Sequence, residues 1–219
     1  MTKVTYLAHA CFTLENEQGK VLLFDPYNAA TGYTVHPTAA DVVLVSHGHG
    51  DHNNLDMIST PYTLVNTAGI TEAEGFKIEG IPTKHDEVNG AKRGDNLVFV
   101  VETDGLRVCH LGDLGHHLCE EQLKQIGKVD VLMVPVGGTY TVDAAMAATV
   151  CDDIGARIVI PMHYHAQDNA YPIETVEPFV ALMQDREYSI RRLHAYTREY
   201  EPGNLPRHAT VGVYEHKNH

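Results

Sequence analysis

The sequence predicts a layered α/β fold, and three observations carry that expectation. Clusters of short apolar, strand-like runs alternate with helical stretches. No low-complexity block or linker interrupts the 219 residues, which suits one compact domain over 1–219, and 43% hydrophobic content is enough for a core. Two similar runs, Asp41-Val42-Val43-Leu44-Val45 and Asp130-Val131-Leu132-Met133-Val134, suggest two similar halves. These residues alone do not separate an open α/β sheet from a sandwich.

Val4 to Leu14 and Val21 to Phe24 read as two strands of a hairpin around the polar turn at 15–20, with His9 inside the first. Asp25-Pro26 ends the second, and residues 27–40 read as a loop. Val42 to Val45 is a short buried strand, and 53–59 suggests a short helix. Thr63 to Val65 and Phe76 to Ile78 are strand candidates, and Ile81 to Glu87 is a strand end running into a charged loop with His85. Val98 to Glu102 and Leu106 to Leu111 form a second hairpin around Thr103-Asp104-Gly105, ending in Gly112-Asp113-Leu114-Gly115. A helix over Glu120 to Gly127, a buried strand from Val129 and an Ala-rich helix over 144–154, capped by Thr141 or Asp143, follow. Arg157 to Pro161 is another buried strand, delivering Met162-His163-Tyr164-His165 at its end, where a period of two puts His163 and His165 on one side. Pro178 to Arg186 reads as a helix and Tyr188 to Leu193 as a strand, while His194, His208, His216 and His219 show no ligand spacing.

Ser46-His47-Gly48-His49-Gly50-Asp51-His52 is the stretch with chemistry in it. Four metal-ligating side chains fall within six residues, directly after a strand that can aim them. His47 and His49, at i and i+2, can point the same way, and Asp51 and His52 reach a second point beyond the turn. The glycines between them let the backbone bend. Imidazole with carboxylate favours a first-row transition metal.

Composition narrows the function classes. Sixteen Lys and Arg against 29 Asp and Glu give a formal charge of −13, which argues against non-specific nucleic-acid binding but not against a small phosphorylated substrate. No basic cluster marks a phosphate pocket along the sequence. Cys11, Cys109, Cys119 and Cys151 lack CxxC spacing and read as thiols in a reducing compartment. The N-terminal residues carry no apolar signal-like run and no stretch approaches 18 apolar residues, so a cytoplasmic protein without a membrane span is expected.

The segment Ser46 to His52 resembles the signature of the metallo-β-lactamase-fold hydrolases. From Leu7-Ala8-His9-Ala10-Cys11-Phe12 to Pro161-Met162-His163-Tyr164, the chain is similar to the lactonase-like and YtkL-like branch of that superfamily. The resemblance implies a four-layer αββα sandwich, two facing sheets with helices outside and the site along one edge. It implies two divalent transition-metal ions, zinc or manganese. His47, His49 and His85 would hold one, Asp51, His52 and His163 the other, and Asp113 would bridge them. His85 as a solvated loop residue, Asp113 as an ordinary turn residue and His165 as the last ligand are the competing readings. The resemblance also places Asp25 behind the metal loop and His9 behind it or facing substrate, with the 27–40 loop, Tyr140 and Tyr164 finishing the cleft.

The activity it implies is hydrolysis of a small-molecule ester, lactone or phosphodiester by a hydroxide held between the ions. Asp51 would orient that nucleophile or protonate the leaving group. Thioesterase, nuclease and non-catalytic sensor readings stand as alternatives, and a homo-oligomer is compatible with the sequence. Histidine rather than glutamate at 49 argues against the oxygen- or nitric-oxide-reducing relatives.

Overall fold

The computed structural model describes residues 1–217, so His219 lies outside the described residues. The chain opens with β1 (Thr2–Ala8) and β2 (Cys11–Glu15), which pair antiparallel around His9-Ala10 instead of forming one strand over 4–14. Neither residue is a turn former, so the reversal leaves no sequence signal. His9 adopts a φ of 57°, and the turn is held by tertiary contacts: the His9 carbonyl accepts the His163 N–H at 2.9 Å, and the Ala10 carbonyl accepts from His110 Nε2 at 2.8 Å. β3 (Val21–Phe24) pairs antiparallel with β2, and β4 (Val42–Leu44) and β5 (Thr63–Val65) add in parallel.

The second sheet starts with an antiparallel meander of β6 (Gly69–Ala73), β7 (Phe76–Lys84), β8 (Asp95–Thr103) and β9 (Leu106–His110). It continues in parallel through α1 (Glu120–Ile126), β10 (Val131–Pro135), α2 (Ala144–Ile154), β11 (Ile158–Met162) and α3 (Glu177–Asp185). β12 (Ser189–Arg192) forms its edge, β13 (Thr197–Tyr200) crosses to pair with β1, and β14 (Thr210–Val213) inserts between β11 and β12. The sheet orders are β13-β1-β2-β3-β4-β5 and β12-β14-β11-β10-β9-β8-β7-β6. β6 and β13 escape the sequence reading because both are polar, half-exposed strands at or next to sheet edges, where no apolar alternation is required.

The repeated Asp-plus-apolar run has a structural counterpart. Asp41, just before β4, accepts the Val21 N–H at 2.9 Å through its carboxylate, and its own N–H donates to the Val21 carbonyl at 2.8 Å. Asp130, just before β10, makes the same pair with Arg107, at 2.9 and 2.8 Å. Each aspartate therefore satisfies the first backbone groups of the neighbouring strand, once per sheet.

Phe12, Phe24 and Leu44 from one sheet pack against Phe99, Val108, Met133 and Ile160 from the other, forming the inter-sheet core. Val134 and Val159 face the opposite way, onto Ala147 of α2 and Phe179 of α3. Asp143 caps α2 by accepting from the Met146 N–H at 2.9 Å. Outside the smaller sheet, Leu23 and Val43 are covered by Tyr27, Tyr33 and Met57. That layer is the 27–40 loop with two single 3₁₀ turns, Ala29–Thr31 and Leu55–Met57, the latter where a short helix was expected. The result is an α/β sandwich of two facing sheets, with the described α-helices all outside the larger one. No helix among the described residues is long and apolar enough to cross a membrane. All four cysteines are free, and only Cys119 is exposed.

Candidate metal centre

The turns that leave β4, β7, β9 and β11 meet the β1–β2 turn at one edge of the sandwich. They bring His47, His49, Asp51 and His52 together with His85, Asp113, His163 and His9. Three sets of ligand atoms lie within 4.8 Å of one another: His47, His49 and His85; His47, His52 and Asp113; and His9, Asp51, His52 and His163.

Asp113 is the hub. Its buried carboxylate lies 3.3 Å from His52 Nε2, 3.2 Å from His85 Nε2, 3.3 Å from His163 Nε2 and 3.9 Å from His47 Nε2. Asn96, which sequence reading missed, fixes the turn: its Oδ1 accepts the Asp113 N–H at 2.9 Å while its amide donates to Thr83 Oγ1 and the Leu111 carbonyl. Gly112 has a φ of 55°, and a Cβ there would meet Asn96 Oδ1 at 2.4 Å, so the turn admits no side chain. Gly48 and Gly50, by contrast, do not take left-handed backbone. A Cβ at Gly50 would lie 2.6 Å from Asn28 Nδ2, the end of a side chain that would have to shift.

Asp25 anchors the metal loop from behind. Its carboxylate accepts the Ser46 N–H at 2.8 Å, the Ser46 hydroxyl at 2.7 Å and His52 Nδ1–H at 2.9 Å. A carboxylate only accepts, so His52 carries its proton on Nδ1 and presents a bare Nε2. Because the Ser46 hydrogen is given to Asp25, Ser46 Oγ accepts from His47 Nδ1 at 2.9 Å, and His47 Nε2 is bare as well. One buried aspartate thus sets both tautomers.

Electrostatics follow from this crowding. Burial and the neighbouring His52 bring His47 down to about 3, and burial with His163 brings His9 to about 4. Burial opposes ionisation of Asp113, but His163 and His52 outweigh it and hold the carboxyl well below its usual range. The His52 imidazole is raised, because Asp113 and Asp25 overcome its burial. Neutral imidazoles and ionised carboxylates are the forms that ligate metal, so His47, His9 and Asp113 are held ready, whereas His52, when protonated, must give up its Nε2 proton as the cation enters.

A divalent cation fits this donor set. His47 Nε2, His52 Nε2, His163 Nε2 and Asp113 Oδ1 are buried without a hydrogen-bond partner. Bare nitrogen lone pairs facing a carboxylate are costly to bury unless a positive charge lies between them. Cysteine is missing from all three clusters, which separates them from the usual closed structural zinc sites.

A cavity of about 360 Å³ opens over the cluster, lined by His49, Asp51, His85, Asp113 and His163 together with Arg93, Tyr140 and Tyr171. A larger hollow of about 690 Å³ lies elsewhere, among Glu72, Lys77, Glu102 and Arg107, and contains no histidine or cysteine. Tyr140 lines the cleft as expected. Tyr164 does not: its ring is buried in the helix-side core with its hydroxyl toward the Tyr214 carbonyl. Its place is taken by Tyr171, whose phenol is pushed up to about 12 by burial and by Asp51. His165 is also outside the cluster, exposed, with Nδ1 toward the Tyr171 carbonyl. β11 ends at Met162 and His163 turns to a φ of 51°, so the period-two argument that paired 163 with 165 no longer applies. His9, read inside a strand, sits in the turn with Nε2 3.3 Å from Asp51 Oδ2 and its ring 4.2 Å from that of His163. His85 is buried rather than solvated.

Asp86, Arg93 and Tyr171 were not singled out from the sequence. Asp86 accepts four backbone N–H groups, from Val88, Gly90, Lys92 and Arg93, and so winds the 87–95 loop beside His85. A Cβ on Gly115 would lie 2.3 Å from both Asp86 N and the His85 carbonyl carbon. Gly115→Ala is therefore expected to cost about 1–3 kcal/mol of stability and to displace His85, measured by denaturant unfolding and by metal content. Unchanged values for both would show that this contact does not position His85.

The family model of the beta-lactamase superfamily domain matches residues 3–163. The chain is 30% identical to a UPF0173 metal-dependent hydrolase of Thermococcus onnurineus, over 85% of this chain and 94% of that one. A structure from Thermotoga maritima, assigned as a Zn-dependent hydrolase of the metallo-beta-lactamase superfamily, matches at 35% identity and a TM-score of 0.81 over 99% and 100% of the two chains. A metallo hydrolase of Ignicoccus hospitalis shares the fold at 22% identity, a TM-score of 0.66 and coverage of 91% and 99%. Sheet order, a histidine-rich loop after β4 and an aspartate hub are thus set in a chain that resembles these proteins along nearly its whole length, and it belongs to the beta-lactamase superfamily, among the UPF0173 metal-dependent hydrolases.

Proposed function

We propose that this chain is a dinuclear hydrolase that cleaves an ester, lactone or phosphodiester bond of a small molecule. The observation that carries the reading is the Asp113 carboxylate, within 3.9 Å of four imidazole nitrogens drawn from two ligand sets. His47, His49 and His85 would hold one divalent ion, Asp51, His52 and His163 the second, and Asp113 would be shared, with zinc or manganese suited to these donors. Such a pair supplies a nucleophile from water at neutral pH and polarises the group under attack. Ser, Thr or Cys nucleophiles are then unnecessary, and the residues lining the cavity include none.

The protein's own part is orientation. Asp25 and Ser46 fix the His47 and His52 rings, and Asn96 fixes Asp113. Asp51 accepts from His9 and neighbours the Tyr171 phenol, which favours an orienting role for it over proton donation. His9 supports Asp51 from behind.

Elemental analysis of protein purified without chelator or metal-affinity tag should give two transition-metal ions per chain, and His85→Ala should give one. An unaltered count in His85→Ala would remove His85 from the ligand set. No binding by the wild type, even after titration with zinc and manganese, would overturn the proposal.

A further inference from the structure

Arg93 stands where two cavities meet. The space over the His/Asp cluster and a neighbouring one of about 580 Å³, which reaches Thr67, Thr83 and Lys84, share Arg93 and His49 in their walls. Its basic neighbours already have acidic partners, Lys84 with Asp95 and Lys92 with Glu87. Among the described residues, no carboxylate pairs with Arg93 itself, as carboxylates do with Arg107, Arg186 and Arg192. In a chain of formal charge −13, a guanidinium beside a cavity with no ion pair to any of the carboxylates that share its walls is a place for an anion.

Arg93 is also held in position. Its Nη2 donates to the Thr139 carbonyl at 2.8 Å, and its guanidinium lies 5.7 Å from the centre of the Tyr140 ring. The loop beneath it is wound on Asp86, which takes the Arg93 N–H at 2.7 Å. A guanidinium has five N–H donors, so the Thr139 contact leaves most of them for a ligand. The cation that sequence spacing did not reveal is a single loop residue, Arg93, which the fold brings to the wall of the cavity over the cluster.

We propose that Arg93 binds a carboxylate or phosphate substituent of the substrate whose scissile bond lies over the His/Asp cluster. This rests on the hydrolase reading above. Both anion types offer paired oxygens to a guanidinium fork, which is the recognition arginine performs best.

The test uses the metal-loaded full chain and Arg93→Met, which keeps an unbranched side chain beside Tyr140 and loses the charge. 4-Nitrophenyl butyrate and 4-nitrophenyl hemisuccinate differ by a terminal carboxylate. Arg93→Met should lose roughly tenfold or more in kcat/KM on the hemisuccinate relative to the butyrate. Equal losses on the two substrates overturn the proposal. Independently of turnover, succinate and inorganic phosphate are titrated against the wild type while the Arg93 Nε–Hε resonance is followed by NMR. A saturable shift with either anion, and binding weakened by about tenfold in Arg93→Met, supports the site and identifies which anion it prefers. A resonance that moves with neither anion overturns it. A shift without hydrolysis of any ester by the wild type keeps the anion site and sinks the ester-hydrolase reading, whereas hydrolysis with an unmoved Arg93 does the reverse.

Discussion

Asp113→Ala should reduce metal content to at most one ion per chain and lower hydrolysis by about 10³-fold or more, since several kcal/mol of charge stabilisation depend on the metal pair. The expectation comes from position. No other carboxylate lies within 4 Å of as many imidazole nitrogens among the described residues, and Asp113 reaches members of both proposed ligand sets. The fold should survive, because the turn is held by the backbone N–H of residue 113 on Asn96, a bond that alanine retains. Thermal melting with and without chelator separates the two effects. Chelator should lower the melting temperature of the wild type, whose metals stabilise the native state by mass action, and lower that of Asp113→Ala by less, in proportion to the metal it has lost. A variant with two ions and undiminished activity would remove Asp113 from the bridging role.

That this residue was a candidate at all shows where sequence carries information about such a site. The 46–52 loop is legible because its ligands are neighbours in the chain and follow a run, Val42 to Val45, that must be a buried strand. His85, Asp113 and His163 come from distant strand ends, and nothing local distinguishes Asp113 from a turn residue between glycines; resemblance alone raised it. Strand periodicity even misled at 163–165, because it assumes extended backbone through a residue that turns left-handed. Tyr164 shows the same failure from the other side: next to a histidine of the cluster, it points into the core. Asp86 and Asn96 were silent for another reason. Their work is to accept and donate backbone hydrogen bonds, and a polar residue that does so looks in sequence like any loop residue. The fold was legible where apolar runs are buried on both faces, as in β10 and β11, and illegible at β6 and β13, which are polar.

Asp25→Asn tests the second layer of this arrangement, and it should weaken both metal ions rather than one. The argument is a count of protons. Asp25 Oδ2 accepts from both Ser46 Oγ and His52 Nδ1, and Ser46 Oγ in turn accepts from His47 Nδ1. His47 belongs to one proposed ion and His52 to the other, so a single buried carboxylate orients a ligand of each. An asparagine amide has one accepting oxygen and two donors, and it cannot satisfy the three N–H and O–H groups that Asp25 now receives. Loss of such outer partners typically costs about 10–100-fold in metal affinity. Ser46→Ala removes only the branch to His47, so it should weaken the first ion and spare the second. Zinc titration by calorimetry, with each variant first stripped by chelator, reads the two steps separately. Both steps should shift in Asp25→Asn and one in Ser46→Ala. A shift confined to one step in Asp25→Asn would mean that His47 finds its orientation elsewhere, and the shared anchor would have to be abandoned.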